Sequence, residues 1–394
     1  MRLLLLSLLL LCGFASADVE MRIIDTGPGL ATITRFDNGE VMVFDTGHWY
    51  YDDHVMAEIN KFMGDDATEV ALFVASVTDA DHIGATDDLF NNYHVKKVIR
   101  TGYERDSAIW RAHNAAIEAA EGAGLTHDID LSKVNLAHGT SYLFGETRVT
   151  ILSGFYNAPS VWGMVGSQYR NANSIVVRID YKGKSILLAG DAMGREALTG
   201  GEMPPADAPA VATERYLIDN SGVRPIAADV LIAPHHGSDQ ASSTEFIKAV
   251  APRWVVFSAG HAKGYPKSST VERYKALGIS DECLLRLDLG DHEKDKGEWD
   301  YGRKRNYTDI TGENPVQIIL PASGDPKVSY AGKDPVTCPS VITAQRKMIG
   351  RKKVKKSNGG ICHEPASSWY EATEKFTKYD SLEDCLASGG RLPE

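Results

Sequence analysis

Four short apolar runs in this chain end in residues that bind metals or move protons. Ala71–Ala75 leads into Ser76-Val77-Thr78-Asp79-Ala80-Asp81-His82-Ile83-Gly84. Ile186–Ala189 leads into Gly190-Asp191, Val230–Ala233 into Pro234-His235-His236-Gly237-Ser238, and Val41–Phe44 into Asp45-Thr46-Gly47. In open α/β sheets, ligands bind beyond the carboxyl ends of the strands. Carboxylates gathered there repel one another unless a cation holds them, so several aspartates beside two histidines point to a divalent metal, Zn²⁺ or Mn²⁺. Any one of these pieces alone reads as a turn; the four together read as a site. Other chemistries lack their residues. No Gly-x-Ser-x-Gly elbow surrounds a serine, and there is neither a P-loop nor a dinucleotide fingerprint.

The elements that must carry these groups alternate along the chain. Strands are expected at 21–25, 32–36, 41–44, 70–75, 97–101, 148–152, 174–180, 185–189, 230–233, 254–258 and 316–320. Helices are expected at 53–62, 83–91, 104–120, 243–250 and 270–277. Such alternation means α/β layers in which helices cover largely buried sheets. Residues 199–209 (Gly, Pro and Ala) and 288–305 (charged and aromatic) read as surface insertions, and 330–339 as a linker. The expected division is a leader at 1–17, a hydrolase domain at 18–337 and a small basic domain at 338–394.

Composition is globular, with 394 residues, 43% apolar and 24% charged. The formal charge of −11 argues against a protein that coats nucleic acid. It divides unevenly, however: the acidic body precedes a tail with ten Lys and Arg against seven Asp and Glu. Arg2, the leucine-rich run Leu3–Leu11 and Ala15-Ser16-Ala17 form a secretory leader with an A-x-A cleavage site. No other stretch approaches the roughly 20 apolar residues of a membrane span, so no integral segment is expected once the leader is removed. A periplasmic or extracellular location follows. Cys283, Cys338, Cys362 and Cys385 then sit in an oxidising setting and allow three pairings, of which Cys362–Cys385 within the short tail is preferred.

The motifs Asp-x-Asp-His-Ile-Gly, Gly-Asp and Pro-His-His-Gly-Ser, following Asp-Thr-Gly, resemble the metallo-β-lactamase fold. Within that fold they look like the hydrolase domain of ComEC-type DNA-uptake proteins, over roughly residues 20–320. The resemblance implies a four-layer αβ/βα sandwich with one or two metals at the strand ends. Its chemistry would be hydrolysis by metal-bound hydroxide, in this branch of phosphodiesters. It implies Asp79 in a first metal site, Asp81, His82 and His235 in a second, and Asp191 bridging the two; His236 is the alternative to His235. Asp45 would orient a ligand, and Asn173 falls where the branch often has Asn in place of a histidine. Asp79 could act as a general base, and Asp81 is expected to be essential. Two departures matter. Val77 stands where the branch has histidine, so one firmly held metal is expected and a first-site metal is weak or absent; His48 could substitute, or lie at the surface. Tyr265-Pro266 replaces the branch's histidine before proline, and Tyr265 could hydrogen-bond a phosphate oxygen. His94, His113, His127, His138 and His292 read as surface or loop residues.

The tail resembles a small domain appended to some bacterial nucleases, through Cys362-His363 and the run from Tyr379 to Arg391. Arg351, Lys352, Lys353, Lys355 and Lys356 could tether phosphates. Three functions fit these residues. The first is a secreted metal-dependent nuclease or phosphodiesterase acting on DNA, RNA or a nucleotide. The second is a small ester, lactone or β-lactam hydrolase of the same fold, and the third a non-catalytic binding protein that lost the first metal site.

Overall fold

The structure is a computed structural model and describes residues 17–27, 29–198, 201–260, 264–288, 315–339, 354–363, 373, 375–379, 385–386 and 388–391. Residues 1–16, His261, His292, Arg351, Lys352, Lys353 and nearly all of 288–305 lie outside the described residues.

The first third of the chain supplies β1 (Val19–Ile23), β2 (Ala31–Arg35), β3 (Val41–Thr46), β4 (Glu69–Val70), β5 (Leu72–Ala75), β6 (His94–Val95), β7 (Lys97–Arg100) and β8 (His127–Asp130). Between them run α1 (Asp52–Met63), α2 (Thr86–Asn92) and α3 (Ala108–Gly122). The middle supplies β9 (Ser141–Phe144), β10 (Thr147–Ser153), β11 (Val176–Tyr181), β12 (Lys184–Leu188), β13 (Val230–Ile232), β14 (Trp254–Phe257) and β15 (Leu284–Arg286). With them come α4 (Gly166–Ala172), α5 (Ala212–Asp219), α6 (Thr244–Val250) and α7 (Ser268–Ala276). The chain then returns through β16 (Val316–Leu320) and β17 (Lys327–Tyr330).

Two mixed sheets result. One has the order β17-β16-β1-β2-β3-β5-β7-β8, the other β15-β14-β13-β12-β11-β10-β9. The returning β16 pairs antiparallel with β1, Val19 opposite Leu320 and Ile23 opposite Val316, so the first sheet joins residues far apart in sequence. The strands that deliver the site are parallel to a neighbour: β3 to β5, β12 to β13, β13 to β14. They read as unbroken apolar runs because both faces of the sheet are covered; every residue of β3, β5, β12, β13 and β14 is buried.

One core lies between the sheets, where Met21, Phe44 and Val74 join Val177, Leu187 and Leu231. Helices α5, α6 and α7 add Leu217, Phe246 and Tyr274 to it, the Tyr274 ring packing edge-on to Phe257 of β14. On the far face of the first sheet, Ile33, Val43 and Phe73 meet Val55 and Ile59 of α1, Leu89 of α2 and Ile117 of α3. Helix, sheet, sheet, helix is a four-layer sandwich.

Helix starts follow their caps rather than their apolar period. Ser107 accepts from the Trp110 amide, so α3 begins at Ala108, later than expected. Helix α2 begins at Thr86 because residues 79–85 are spent on the site loop. Asp52 and Asp53 occupy the first turn of α1, and Asp65-Asp66 form a turn, as their types suggest. Among the described residues no helix is long and apolar enough to cross a membrane.

Two disulfides are present, Cys283–Cys338 and Cys362–Cys385. Cys338 packs into the main core; Arg253 donates to its carbonyl and the Trp254 indole to that of Val336. Composition puts Cys338 at the head of the tail, yet it is fastened to the body. Beyond it, β18 (Val354–Ser357), β19 (Cys362–His363) and β20 (Phe376–Tyr379) form a small sheet over Val354 and the Cys362–Cys385 bridge.

Candidate metal centre

The strand ends converge as the motifs require. Asp45, at the end of β3, accepts from the Ser76 amide at 2.7 Å and hydroxyl at 2.6 Å, and holds His82 Nδ1 at 2.8 Å. The loops are laced together by Thr46 N–H to His82 O and Gly84 N–H to Gly47 O. Gly84 is required there, since a Cβ would stand 2.2 Å from the Trp49 nitrogen. Across the cleft, His236 Nδ1 lies 2.7 Å from the Ser258 carbonyl at the end of β14. Both His235 and His236 adopt positive φ, 51° and 55°, which bulky residues rarely do outside functional turns.

Those two Nδ1 contacts set the chemistry. Asp45 and the Ser258 carbonyl are acceptors, so each ring keeps a proton on Nδ1 and turns Nε2 inward, where it can take a further proton or a cation. His82 Nε2 lies 3.1 Å, and His236 Nε2 3.3 Å, from Asp191 Oδ1. Ligand atoms of Asp81, His82 and His236 lie within 4.8 Å of one another. Yet His82 Nε2, His236 Nε2 and Asp191 Oδ1, all buried, form no hydrogen bond. Buried polar atoms are nearly always paired. Three unpaired acceptors facing one point fit a divalent cation, and nitrogen with carboxylate oxygen is a donor set for Zn²⁺ or Mn²⁺.

The electrostatics agree. Burial opposes a charged His82, but the Asp191 and Asp45 carboxylates outweigh it and hold the ring well above the usual imidazole range. Burial would raise Asp191, and the surrounding rings of His82, His235 and His236 outweigh it and hold the carboxyl far below its usual range. Asp45 is raised by its burial, which exceeds the pull of His82 and Ser76. The pocket therefore attracts positive charge, as a proton on His82 or as a cation.

No family model matches the chain. Over 113 residues it is 35% identical to competence protein ComA from Neisseria gonorrhoeae, covering 28% of this chain and 15% of that protein. The chain thus matches a small part of its curated relative. Similar solved structures include Zn²⁺-bound PqqB from Methylobacterium extorquens, 10% identical over 68% of this chain and 97% of the other, TM-score 0.40. The diiron β-hydroxylase CmlA from Streptomyces venezuelae is 12% identical over 69% and 53%, TM-score 0.38. A metallo-β-lactamase from Cronobacter sakazakii is 11% identical over 43% and 53%, TM-score 0.27. The two-sheet sandwich, with Asp45, Asp81, His82, Asp191 and Pro-His-His-Gly at one set of strand ends and the ComA likeness beside it, decides the fold. The chain is a metallo-β-lactamase-fold protein.

In this metallo-β-lactamase-fold protein the expected site residues do not all meet. His236, not His235, approaches Asp191 Oδ1. The His235 Nε2 is 4.0 Å from Asp191 Oδ2 and instead takes a hydrogen bond from the Asn171 amide at 3.2 Å. Asp79 is also elsewhere: its Oδ1 pairs with Arg105 and, at 3.0 Å, with Arg170 Nε. These ion pairs engage one of its two carboxylate oxygens. Tyr265 stacks on His236, rings 6.4 Å apart and 13° from parallel. Asn173 turns its oxygen to the Ala158 amide at 2.7 Å, supporting a loop.

Several histidines also differ from expectation. His48 is buried and accepts from the Tyr50 amide at 3.2 Å. His113 is buried under α2, Nδ1 3.0 Å from Thr86 Oγ1, and burial pushes it down to about 3. His138 is half-buried against the Gly154 carbonyl. His94 and His127 are exposed. Ser76, Ser258, Arg105 and Arg170 carry no motif signal; each joins the site through a contact distant in sequence.

Proposed function

We propose that this protein is a secreted metal-dependent hydrolase of phosphodiesters in nucleic acid or nucleotides. The observation that carries it is the pair of buried imidazoles whose Nε2 atoms are turned inward by Asp45 and the Ser258 carbonyl, facing Asp191 and Asp81. A divalent cation there would acidify water and offset charge building on the scissile group. His82, His236, Asp191 and Asp81 would hold it. Asp45 and the Ser258 carbonyl fix the ring tautomers, and Tyr265 closes one wall against His236. One cation rather than two agrees with Val77 and with the ion-paired Asp79. The ComA likeness favours a nucleic-acid substrate, and the leader with two disulfides favours export. In the tail, Lys355 and Lys356 donate to the carbonyls of Thr373 and Ser388 and lie on the small sheet, from which the basic run could still meet phosphates.

The test is turnover of bis(p-nitrophenyl) phosphate, plasmid, single-stranded DNA and RNA with Zn²⁺ or Mn²⁺, then with EDTA, beside a chromogenic lactam. Cation-dependent diester cleavage abolished by EDTA is expected. Lactam cleavage alone would replace the substrate assignment. No turnover at all would favour a non-catalytic binding role, for which Val77 and the occupied Asp79 speak.

A further inference from the structure

Asp79 lies two residues before Asp81, on the same strand-end loop, yet its surroundings are of another kind. Arg105 reaches it from the loop before α3 and Arg170 from within α4, both ending on the single oxygen Oδ1. Two cations on one carboxylate leave an excess positive charge. The guanidiniums crowd: Arg105 is lowered by burial and then by the neighbouring charge of Arg170. Each guanidinium has five donors in a planar fork, and the Arg105 and Arg170 side chains remain 28% and 22% exposed. Their open edges are therefore available to a second anion.

This pair is joined to the metal cluster on two sides. Asp79 connects through Ala80 to Asp81, whose ligand atom stands with those of His82 and His236. Arg170 precedes Asn171, whose amide holds His235. Tyr103 and Tyr169, edge-on at 6.0 Å, sit one or two residues from the arginines and flank them with aromatic surface. A cation held by Asp81, His82 and His236, with a forked cationic site on the neighbouring residues, would suit the two oxygens of a phosphodiester better than a neutral ester.

Building on the phosphodiesterase reading, we propose that Arg105 and Arg170, gathered by Asp79, bind a non-bridging oxygen of the substrate phosphate. Two guanidiniums stand where the resemblance reserves a first metal. Asp79 is then a positioning residue for the arginines and not a metal ligand.

Titrating inorganic phosphate calorimetrically into EDTA-treated protein tests the site without turnover. Arg105→Gln and Arg170→Gln should each weaken phosphate at least tenfold, while Lys355→Gln should not. Arg105→Lys, keeping charge but losing the fork, should weaken it several-fold; this variant decides if the glutamine variants fail to fold by circular dichroism. Metal analysis should give the same one equivalent in wild type, both arginine variants and Asp79→Asn. In loaded protein, KM for bis(p-nitrophenyl) phosphate should rise about tenfold in the arginine variants, with little change for p-nitrophenyl acetate. Phosphate binding unchanged in folded arginine variants overturns the site, as does loss of the cation in Asp79→Asn. Arginine-dependent phosphate binding without any diester turnover sustains the site and removes the phosphodiesterase reading alone.

Discussion

Asp79 and Asp81 are two residues apart and solve one physical problem in opposite ways. Beside Asp81, the His82 and His236 Nε2 atoms and Asp191 Oδ1 are buried, form no hydrogen bond and lie close together. Around Asp79, the carboxylate is already neutralised by two guanidiniums, and the group touches solvent. A negative site near the end of β5 needs a cation from somewhere. One half of this centre leaves the place for an ion, and the other builds the cation into the chain. The lesson is that fixed side-chain charge can supply, beside one carboxylate, the positive charge that a bound cation would supply beside the next.

The contrast breaks most sharply at the histidine pair. His236→Ala should remove the bound cation and lower kcat/KM by at least about 10³, whereas His235→Ala should keep the metal equivalent. Dialysed metal content beside diester kinetics checks both, and the reverse result would reassign the ligand. A smaller effect is expected at Asp45→Asn, which leaves the ligands in place but weakens the hold on the His82 Nδ1 proton. Metal affinity should fall about 10- to 100-fold, measured by competition with a chromophoric chelator; phosphate binding at the arginines should not move.

The smallest effect lies beneath the cluster half. Thr46 Oγ1 meets Thr86 Oγ1 at 3.2 Å, and Thr86 holds buried His113. His113 is pushed from 6.5 to about 3 by burial, so the folded protein keeps it neutral while the unfolded chain protonates. Its contribution to stability is whole above about pH 6.5 and is lost as pH falls from there towards about 3. Urea unfolding of metal-free His113→Leu should therefore show a flatter loss of stability across that window than wild type. Parallel curves would place the acid sensitivity elsewhere, in the His82–Asp191 cluster.

Much of the fold was legible because its parallel strands are short apolar runs covered on both faces, as in Leu72–Ala75 and Val230–Ile232. Strands β8, β9 and β15 are not legible because none is an unbroken apolar run: β8 reads His-Asp-Ile-Asp, β9 is largely part-exposed, and Arg286 ends β15 after two leucines. Helices α4 (Gly-Ser-Gln-Tyr-Arg-Asn-Ala) and α5 have no side-chain N-cap, and α4 is mostly polar, so neither shows a start signal or an apolar stripe. The metal-binding residue types were legible because each follows a strand directly.

By itself the sequence determined an α/β sandwich whose strand ends carry aspartate and histidine. Residue type and strand period are local properties, and local properties survive in a linear reading. The tertiary structure alone decided which histidine faces Asp191, because the acceptor that fixes the His236 tautomer is the Ser258 carbonyl on another strand. It also decided the fate of Asp79, whose partners Arg105 and Arg170 stand 26 and 91 residues away. Charge acts through space, and only folding sets which charges are neighbours.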